Sequence, residues 1–433
     1  MSENTFIEAK NTKMKVLLIG DYFPDIGGVT FYVHKLLLRL TKYGLKVILL
    51  HTKTGKPIRL NDNIHITRIP SSNEERFKVL LAGLKLAPAI FYNAPFLLLK
   101  PNLFITSLIL SGLIQDIILK EKPYIIHSNH LSMRTLIASI IGEKFNIPVI
   151  VTCHGYDTEV PPTLYEYLIR RSVIVHADKL IVLTNAKKQL LSKIYDEAQK
   201  LIVIPNFIRC EDVLYLGSQI ELEKRKVMAK KRAGIPPNKV VLLYLGRIVK
   251  EKGVFDIVNA IKEIRESNPE LYNQLEVIIA GDGPAVNRLK FLLDDLRLEN
   301  LRFIDKVSES VKRDLFLLSD VFLLPTTWHE AFPTAVLEAY KYGTPVVSYY
   351  FRGIKDIILH RITGLIILKR DYRELTKMII EIVSNRSKIY EMGLNALKFV
   401  RKFCAEHVVA KIVKLYIYEL SERGLKRESC SMS

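Results

Sequence analysis

The stretch Trp328-His329-Glu330-Ala331-Phe332-Pro333-Thr334-Ala335-Val336-Leu337-Glu338-Ala339 follows an apolar run of strand length at residues 321–324. It reads as strand, loop and helix start, the unit from which wound α/β sheets are built. Proline is pre-set for the first helical position, so the helix is expected to begin near Pro333. Neither Ala331 nor Phe332 offers a side-chain acceptor to the amides of that first turn. Those amides, with the positive end of the helix dipole, suit an anion, and phosphate is the common one. Glu330 before the helix and Glu338 on its second turn cannot ligate phosphate. They suit sugar hydroxyls on either side of a bound pyrophosphate. The same residues also fit a plain amphipathic helix with solvated glutamates, so the rest of the chain decides.

Outward from this unit the same rhythm recurs. Apolar runs at 16–19, 47–50, 124–127, 149–153, 180–183 and 201–204 alternate with helical patterns, the βαβ signature of a parallel sheet covered on both faces. The rhythm lapses across 211–232, first acidic and then basic. It restarts at 240–245, 277–280, 301–304, 321–324 and 345–348. Two doubly wound domains joined near 207–222 are the economical reading, and from about 371 to 423 only helices are expected.

The 433 residues can bury two cores, and 49% hydrophobic with 25% charged residues is ordinary for a globular protein. The four cysteines, Cys153, Cys210, Cys404 and Cys430, show no paired spacing for zinc or a redox motif, which predicts a reduced, cytosolic setting. Residues 1–13 lack the apolar core of a secretion signal, and no transmembrane helix is predicted. The formal charge of +19 calls for an acidic partner: nucleic acid, anionic lipid or a phosphorylated substrate. No acidic residue occurs between Asp25 and Asp62, while seven basic ones do. On a helix expected over 29–43, Val33, Leu36, Leu37 and Leu40 face inward, and Lys35, Arg39 and Lys42 lie opposite with Phe31 and Leu38 beside them. That mixture suits an anionic membrane interface. The largely apolar stretch 79–99, broken by Lys85, Pro88 and Pro95, is expected to form short helices, buried or dipping into the interface.

Ligands of open α/β sheets bind at the carboxyl ends of the strands, and the distinctive residues fall there. Gly27 and Gly28 follow the first strand, and His154 with Gly155 follows the run ending at Cys153. Gly246 and Arg247 end the first strand of the second half, with Lys252 and Gly253 before the next helix. Gly281-Asp282-Gly283-Pro284 follows the next strand. Arg247 and Lys252 would neutralise charge growing on a leaving diphosphate. They compete with the alternative of two ordinary surface cations. His154 either reaches a sugar hydroxyl or satisfies a loop carbonyl. The chain has no Asp-x-Asp triplet to hold a divalent ion on a diphosphate.

In this order and spacing the motifs resemble the retaining glycosyltransferases of family four, over about residues 14–420. The resemblance implies a GT-B fold, an α/β architecture of two doubly wound Rossmann-like parallel-sheet domains facing a cleft. Residues 14–207 would bind the acceptor and 208–400 the nucleotide sugar, with a helix over 401–423 packing back on the first domain. It implies a UDP- or GDP-sugar donor whose sugar passes, with retained configuration, to a hydroxyl of a lipid-linked or cell-surface glycan. Glu338 would accept from the ribose and Glu330 from the donor sugar. Thr334 and Ala335 amides with Arg247 and Lys252 would hold the diphosphate, supported by Gly246, Gly281 and Gly283. His154 would touch the donor sugar, and Gly27-Gly28 would close over the phosphates. No divalent metal, other cofactor or protein base is implied. Pro333 and Arg352-Gly353 depart from commoner glycines, and Gly44-Leu45 from a Gly-His.

Three other readings compete. Paired glutamates suit a glycoside hydrolase, which needs carboxyls about 5 to 9.5 Å apart across one bond. A sugar-nucleotide epimerase would turn over donor without acceptor. A nucleic-acid-binding protein would use the charge, but the chain lacks a recognition module, so nucleic acid is not an expected partner. The basic, apolar surface of the first half instead predicts a cytoplasmic protein, peripheral on the cytoplasmic membrane face.

Overall fold

Two open sheets account for the strand rhythm in the computed structural model, which describes residues 14–23, 28–155, 157, 162–328, 330 and 332–424. The chain divides into two compact units, one made of residues 1–206 and 406–433, the other of 207–405. Residues 401–405, expected with the final helix, lie in the second unit.

In the first unit β1 (Lys15–Ile19), β2 (Lys46–Thr54), β3 (Ile58–Asn61), β4 (Ile64–Ile69), β5 (Ile125–Asn129), β6 (Val149–Thr152), β7 (Lys179–Val182) and β8 (Leu201–Val203) form one sheet. Its order is β3-β4-β2-β1-β5-β6-β7-β8, and only the β3–β4 pair is antiparallel. The central strands are buried on both faces, as continuous Val, Ile and Leu runs demand. β3 and β4 were not anticipated. β3 is exposed throughout and β4 buries only alternate residues, so neither shows the continuous apolar run of a central strand.

The helix Gly28–Lys42 buries Val33, Leu36, Leu37 and Leu40 completely, the face expected to pack inward. Its opposite face needs a correction. Phe31 and Leu38 are exposed, but Arg39 is only 8% exposed and donates to the Glu406 carboxylate at 2.8 Å, so it is not offered to a membrane. The Tyr43 hydroxyl donates to the Glu406 carbonyl, fixing the same contact.

The helix Pro101–Glu121 is long and apolar enough to cross a membrane, yet half of it is buried, with Leu108, Leu113, Ile114 and Ile117 in the core of the unit. The final helix, Ala405–Glu422, sends Tyr416 to the buried His127 ring and is followed by Arg423, which pairs with Asp178.

In the second unit β9 (Val240–Leu245), β10 (Leu275–Ala280), β11 (Leu301–Ile304), β12 (Val321–Leu324), β13 (Val346–Tyr349) and β14 (Gly364–Ile367) are all parallel. Their order is β11-β10-β9-β12-β13-β14. Helices Val254–Ser267 and Tyr372–Val383 cover it with apolar faces.

Cysteine usage is the second correction. Cys210 and Cys404 are joined by a disulfide across 194 residues of sequence, beside a bridge between Ile208 and Cys404. A pair so distant in sequence has no local spacing to betray it. Cys153 is free and buried.

Candidate functional site

The order of the second sheet reverses between β9 and β12, and loops leaving such neighbours diverge to open a crevice at their carboxyl ends. β9 runs into Gly246 and Arg247. Inside the sheet end, the Tyr244 hydroxyl donates to the Arg247 carbonyl at 2.8 Å and pins the loop while the arginine itself is exposed. A second brace comes from β10. Gly281 has φ +144°, and a Cβ there would lie 1.9 Å from the Gly246 carbonyl oxygen. Gly283 likewise abuts Ile248, whose amide donates to the Asp282 carbonyl at 2.8 Å. The Gly-Asp-Gly-Pro turn therefore supports the loop that carries Arg247.

The short turn Lys250–Lys252 is sewn to the loop after β12 by one carbonyl. That of Glu251 accepts from the amides of Thr327 (2.8 Å) and Trp328 (3.1 Å) and from the Thr327 hydroxyl (3.1 Å). Gly253 follows at φ +75°, with the Pro325 carbonyl oxygen 2.0 Å from where a Cβ would sit. The consequence is that Lys252 and Glu330, far apart in sequence, meet: the ammonium donates to the carboxylate. Burial, and then the nearby Glu330 charge, hold the Tyr244 phenol well above its usual pKa. Glu330, Lys252, Tyr244 and the Arg247 loop thus share one end of the sheet.

The helix after Glu330 spans Thr334–Tyr340, and no side chain caps its start. Pro333 takes the cap position with φ −67° and ψ 111°, so the helix begins at Thr334, one residue later than expected. Phe332 is 4% exposed, its ring 5.5 Å from that of Phe403, and so anchors the turn that presents the half-buried Thr334 and Ala335. Glu338, on the second turn, pairs with Lys312 at 2.6 Å. Lys312, on the helix Glu309–Leu318, carries no distinguishing sequence signal among 64 basic residues.

The first sheet reverses between β1 and β5, and there a second constellation forms within that unit. His154 is 6% exposed; its Nε2 lies 3.0 Å from the Asn129 Oδ1, and its amide donates to Asp157 at 2.7 Å. Because the Asn129 amide nitrogen donates to the Ile19 carbonyl, its oxygen faces the ring, and Nε2 carries the proton. Burial, with His130 beside it, depresses the His154 pKa to about 3, so the ring is neutral. His130 was not singled out from sequence. It sits at φ 71°, a strained conformation for a non-glycine residue, and bonds Asp157 at 3.2 Å. Burial disfavours its cation, but Asp157 outweighs burial and raises its pKa. Asp21 and Arg134 pair at 2.9 Å and, with Asn129, His130 and Asp157, line a cavity of about 260 Å³. Gly28 opens its helix in free space, and Gly27 lies outside the described residues.

Comparison with known proteins fixes what this arrangement belongs to. Residues 26–212 match the family model described as Glycosyltransferase Family 4, and residues 227–399 that described as Glycosyl transferases group 1. The chain belongs to the group 1 glycosyltransferases. An uncharacterized glycosyltransferase of Methanocaldococcus jannaschii is 25% identical over 94% of this chain and 99% of its own length. The Escherichia coli UDP-Gal:alpha-D-GlcNAc-diphosphoundecaprenol alpha-1,3-galactosyltransferase is 27% identical over 69% of this chain and 77% of its own. Sucrose-phosphate synthase from Thermosynechococcus elongatus superposes with a TM-score of 0.72 at 17% identity, covering 94% of this chain and 100% of that one. The fold of this group 1 glycosyltransferase is GT-B, two Rossmann-like units each built on a largely or wholly parallel sheet, as the motifs had implied.

Proposed function

We propose that the protein transfers a sugar, with retained anomeric configuration, from a UDP- or GDP-sugar to a hydroxyl of a lipid-linked or cell-surface glycan. The observation that carries this reading is the meeting of Lys252 with Glu330 beside the Arg247 loop, at the reversal point of the second sheet. The galactosyltransferase relative, whose name gives a UDP-sugar donor and a diphospholipid acceptor, supports both substrate classes.

In this reading Arg247 and Lys252 face the donor diphosphate and offset the charge it gains as the glycosidic bond to phosphate breaks. Glu330 accepts from donor-sugar hydroxyls and is oriented for that by Lys252. Glu338, oriented by Lys312, accepts from the ribose, and the amides at Thr334 and Ala335 meet the phosphates. His154, neutral with its Nε2 proton engaged, acts as a hydrogen-bonding group toward the sugar, not as a base. The acceptor oxygen bonds the anomeric carbon from the face that the diphosphate leaves, and the leaving phosphate oxygen takes the acceptor's proton as its own bond to the sugar breaks. No divalent ion is assigned a role, since cations of the chain supply the charge. Each glutamate has its own lysine, which suits oriented acceptors of hydroxyls better than the acid and nucleophile of a hydrolase. A peripheral position on the cytoplasmic membrane face belongs to the same proposal, with Phe31, Lys35, Leu38 and Lys42 of the helix Gly28–Lys42 as contacts.

Thermal-shift measurements with UDP-, GDP- and ADP-sugars test the donor, because a ligand of the folded state raises its stability with affinity. Transfer in the presence of a chelator tests the metal. Sugar released to water without acceptor, at the rate of transfer, would overturn the transferase mechanism.

A further inference from the structure

Between Glu75 and Asp116 the sequence contains no acidic residue, and it carries Arg76, Lys78, Lys85 and Lys100. The fold gives this acid-free interval an unusual surface. The helix Asn73–Leu84 lies against the helix Pro101–Glu121 at backbone contact: a Cβ on Gly83 would be 1.9 Å from the Leu108 carbonyl oxygen, and one on Gly112 would be 2.0 Å from that of Val79. The pairings 83 with 108 and 79 with 112 make the two helices antiparallel. They also fix which way the first helix faces. Phe77, Leu81 and Leu84, spaced at four and three residues, lie on the side opposite Val79 and Gly83, and are 59%, 46% and 48% exposed.

The chain joining these helices adds further exposed apolar side chains. In the helix Ala87–Asn93 and the turn Pro95–Leu99, Ile90 and Leu97 are fully buried and anchor the segment in the core. Their neighbours are left outside: Phe91 is 52%, Tyr92 86% and Leu99 76% exposed. Ile105, 49% exposed, stands near the Leu84 end by the antiparallel register. Lys100 lies over the Tyr165 ring at 4.3 Å, and Phe96 packs edge-on against that ring, so the cation is held at the margin of the apolar segment. Lys85, directly after Leu84, is exposed as well.

We propose that the segment 77–105 is a bilayer-inserting surface whose occupant is an anionic lipid membrane. So many exposed large apolar side chains within one segment of 29 residues, Phe77, Leu81, Leu84, Phe91, Tyr92, Leu98, Leu99 and Ile105, mark an interaction site. Exposed Lys85 and Lys100 and a complete lack of acids across 40 residues match the negative headgroup layer, with Phe, Tyr and Leu entering the acyl boundary. Lys78 is paired with Glu74, but Lys85 and Lys100 are exposed beside the apolar side chains with no acid between Glu75 and Asp116, and such cations favour an anionic lipid surface over an apolar protein face. The segment is separate in sequence from the helix Gly28–Lys42, and its apolar exposure is much the larger. The inference deepens the membrane-face reading above, and its test uses neither donor nor acceptor, so its failure leaves the transfer reading standing.

The experiment is flotation of the purified full chain with vesicles of phosphatidylcholine alone or mixed with phosphatidylglycerol. Binding is expected with the anionic vesicles, weakened several-fold by salt. Tyr92→Ser combined with Leu99→Ser should lower partitioning at least tenfold, with donor binding by thermal shift unchanged. Phe31→Ser with Leu38→Ser should lower it less. Partitioning unaffected by the 92/99 pair, or equal on neutral and anionic vesicles, overturns the proposal. So does a dimer in solution that the same pair dissociates, since the surface would then belong to a second copy.

Discussion

The Lys252 ammonium and the Glu330 carboxylate are bonded across 78 residues of sequence, because the Glu251 carbonyl ties the loop after β12 to the turn after β9. A lysine so held is fixed in place before any donor arrives, and fixed charge is what stabilises a developing anion at low reorganisation cost. Lys252→Met is therefore expected to lower kcat by about 100- to 1000-fold, the usual loss for one preorganised donor to a developing anion. Glu330→Gln should cost about tenfold or more, chiefly in sugar turnover. The double variant should lose less than the product of the single losses, since each single change leaves its partner unpaired. Steady-state kinetics on the three variants checks this; independent, multiplicative losses would contradict a coupled pair.

Glu338 and Lys312, 2.6 Å apart, form a separate pair on the second turn of the uncapped helix. If Glu338 accepts from the ribose, Glu338→Ala removes a charge-assisted bond of about 1.5–3 kcal/mol, or roughly 10- to 100-fold in affinity. Calorimetric titration with the free nucleoside diphosphate should show that loss, whereas Glu330→Ala should bind the nucleotide nearly as well as the parent. An equal loss in both variants would mean that neither has been assigned correctly.

How far the sequence disclosed this site follows from how local each signal is. Glu330, Glu338, Arg247 and Lys252 stand next to strand ends or a proline, and strand runs such as 240–245 and 321–324 declare themselves through continuous apolar residues buried on both faces. Lys312, Tyr244 and His130 acquire meaning only from what the fold brings beside them, and nothing within a few residues of each distinguishes it. β3 and β14 escaped for related reasons: one is an exposed edge strand, the other a four-residue run opened by Gly364. Arg39 reads as a surface cation until the far end of the chain supplies Glu406.

Gly281 supports Arg247 at a distance, and its substitution should separate support from chemistry. Gly281→Ala places a Cβ 1.9 Å from the Gly246 carbonyl oxygen at a backbone angle of φ +144° that L-residues rarely adopt. A loss of at least about 2 kcal/mol of stability is expected. Where the variant still folds, diphosphate affinity should fall as the Arg247 loop shifts. Urea unfolding and nucleotide titration on the same preparation check both effects.

Acid should destabilise the first unit in a definite window. His127 and His154 are buried, and burial depresses each pKa to about 3. In the unfolded chain both titrate near 6.5, so as pH falls below that value the unfolded state binds protons that the folded state refuses. Stability is thus fully present above about pH 7 and lost progressively down to about pH 3, with a slope approaching two protons from this pair. The sign is the opposite of a salt-bridged histidine. His127→Gln should flatten the slope by up to one proton, and urea denaturation midpoints between pH 4 and 7 would reveal an unchanged slope if the ring were not buried neutral.

The disulfide between Cys210 and Cys404 closes the second unit near its two chain ends, since that unit runs from Phe207 to Ala405. Linking residues 194 apart removes conformations from the unfolded chain far more than from the folded one. Cys404→Ala, or reduction, should therefore destabilise the second unit by about 2–4 kcal/mol, the usual range for a native disulfide. The Cys404 position also carries the bridge to Ile208, and the Ala405 amide donates to the Ile208 carbonyl at 2.9 Å, so the backbone pairing should survive loss of the bond. Comparison of urea unfolding with and without reductant measures the effect, and a gel-mobility shift on reduction establishes that the bond forms. Such bonds are rare in cytosolic proteins other than those of hyperthermophiles. A chain isolated from its native cell with Cys210 and Cys404 reduced, and indifferent to reductant in unfolding, would return the cysteines to the reading that their spacing first suggested.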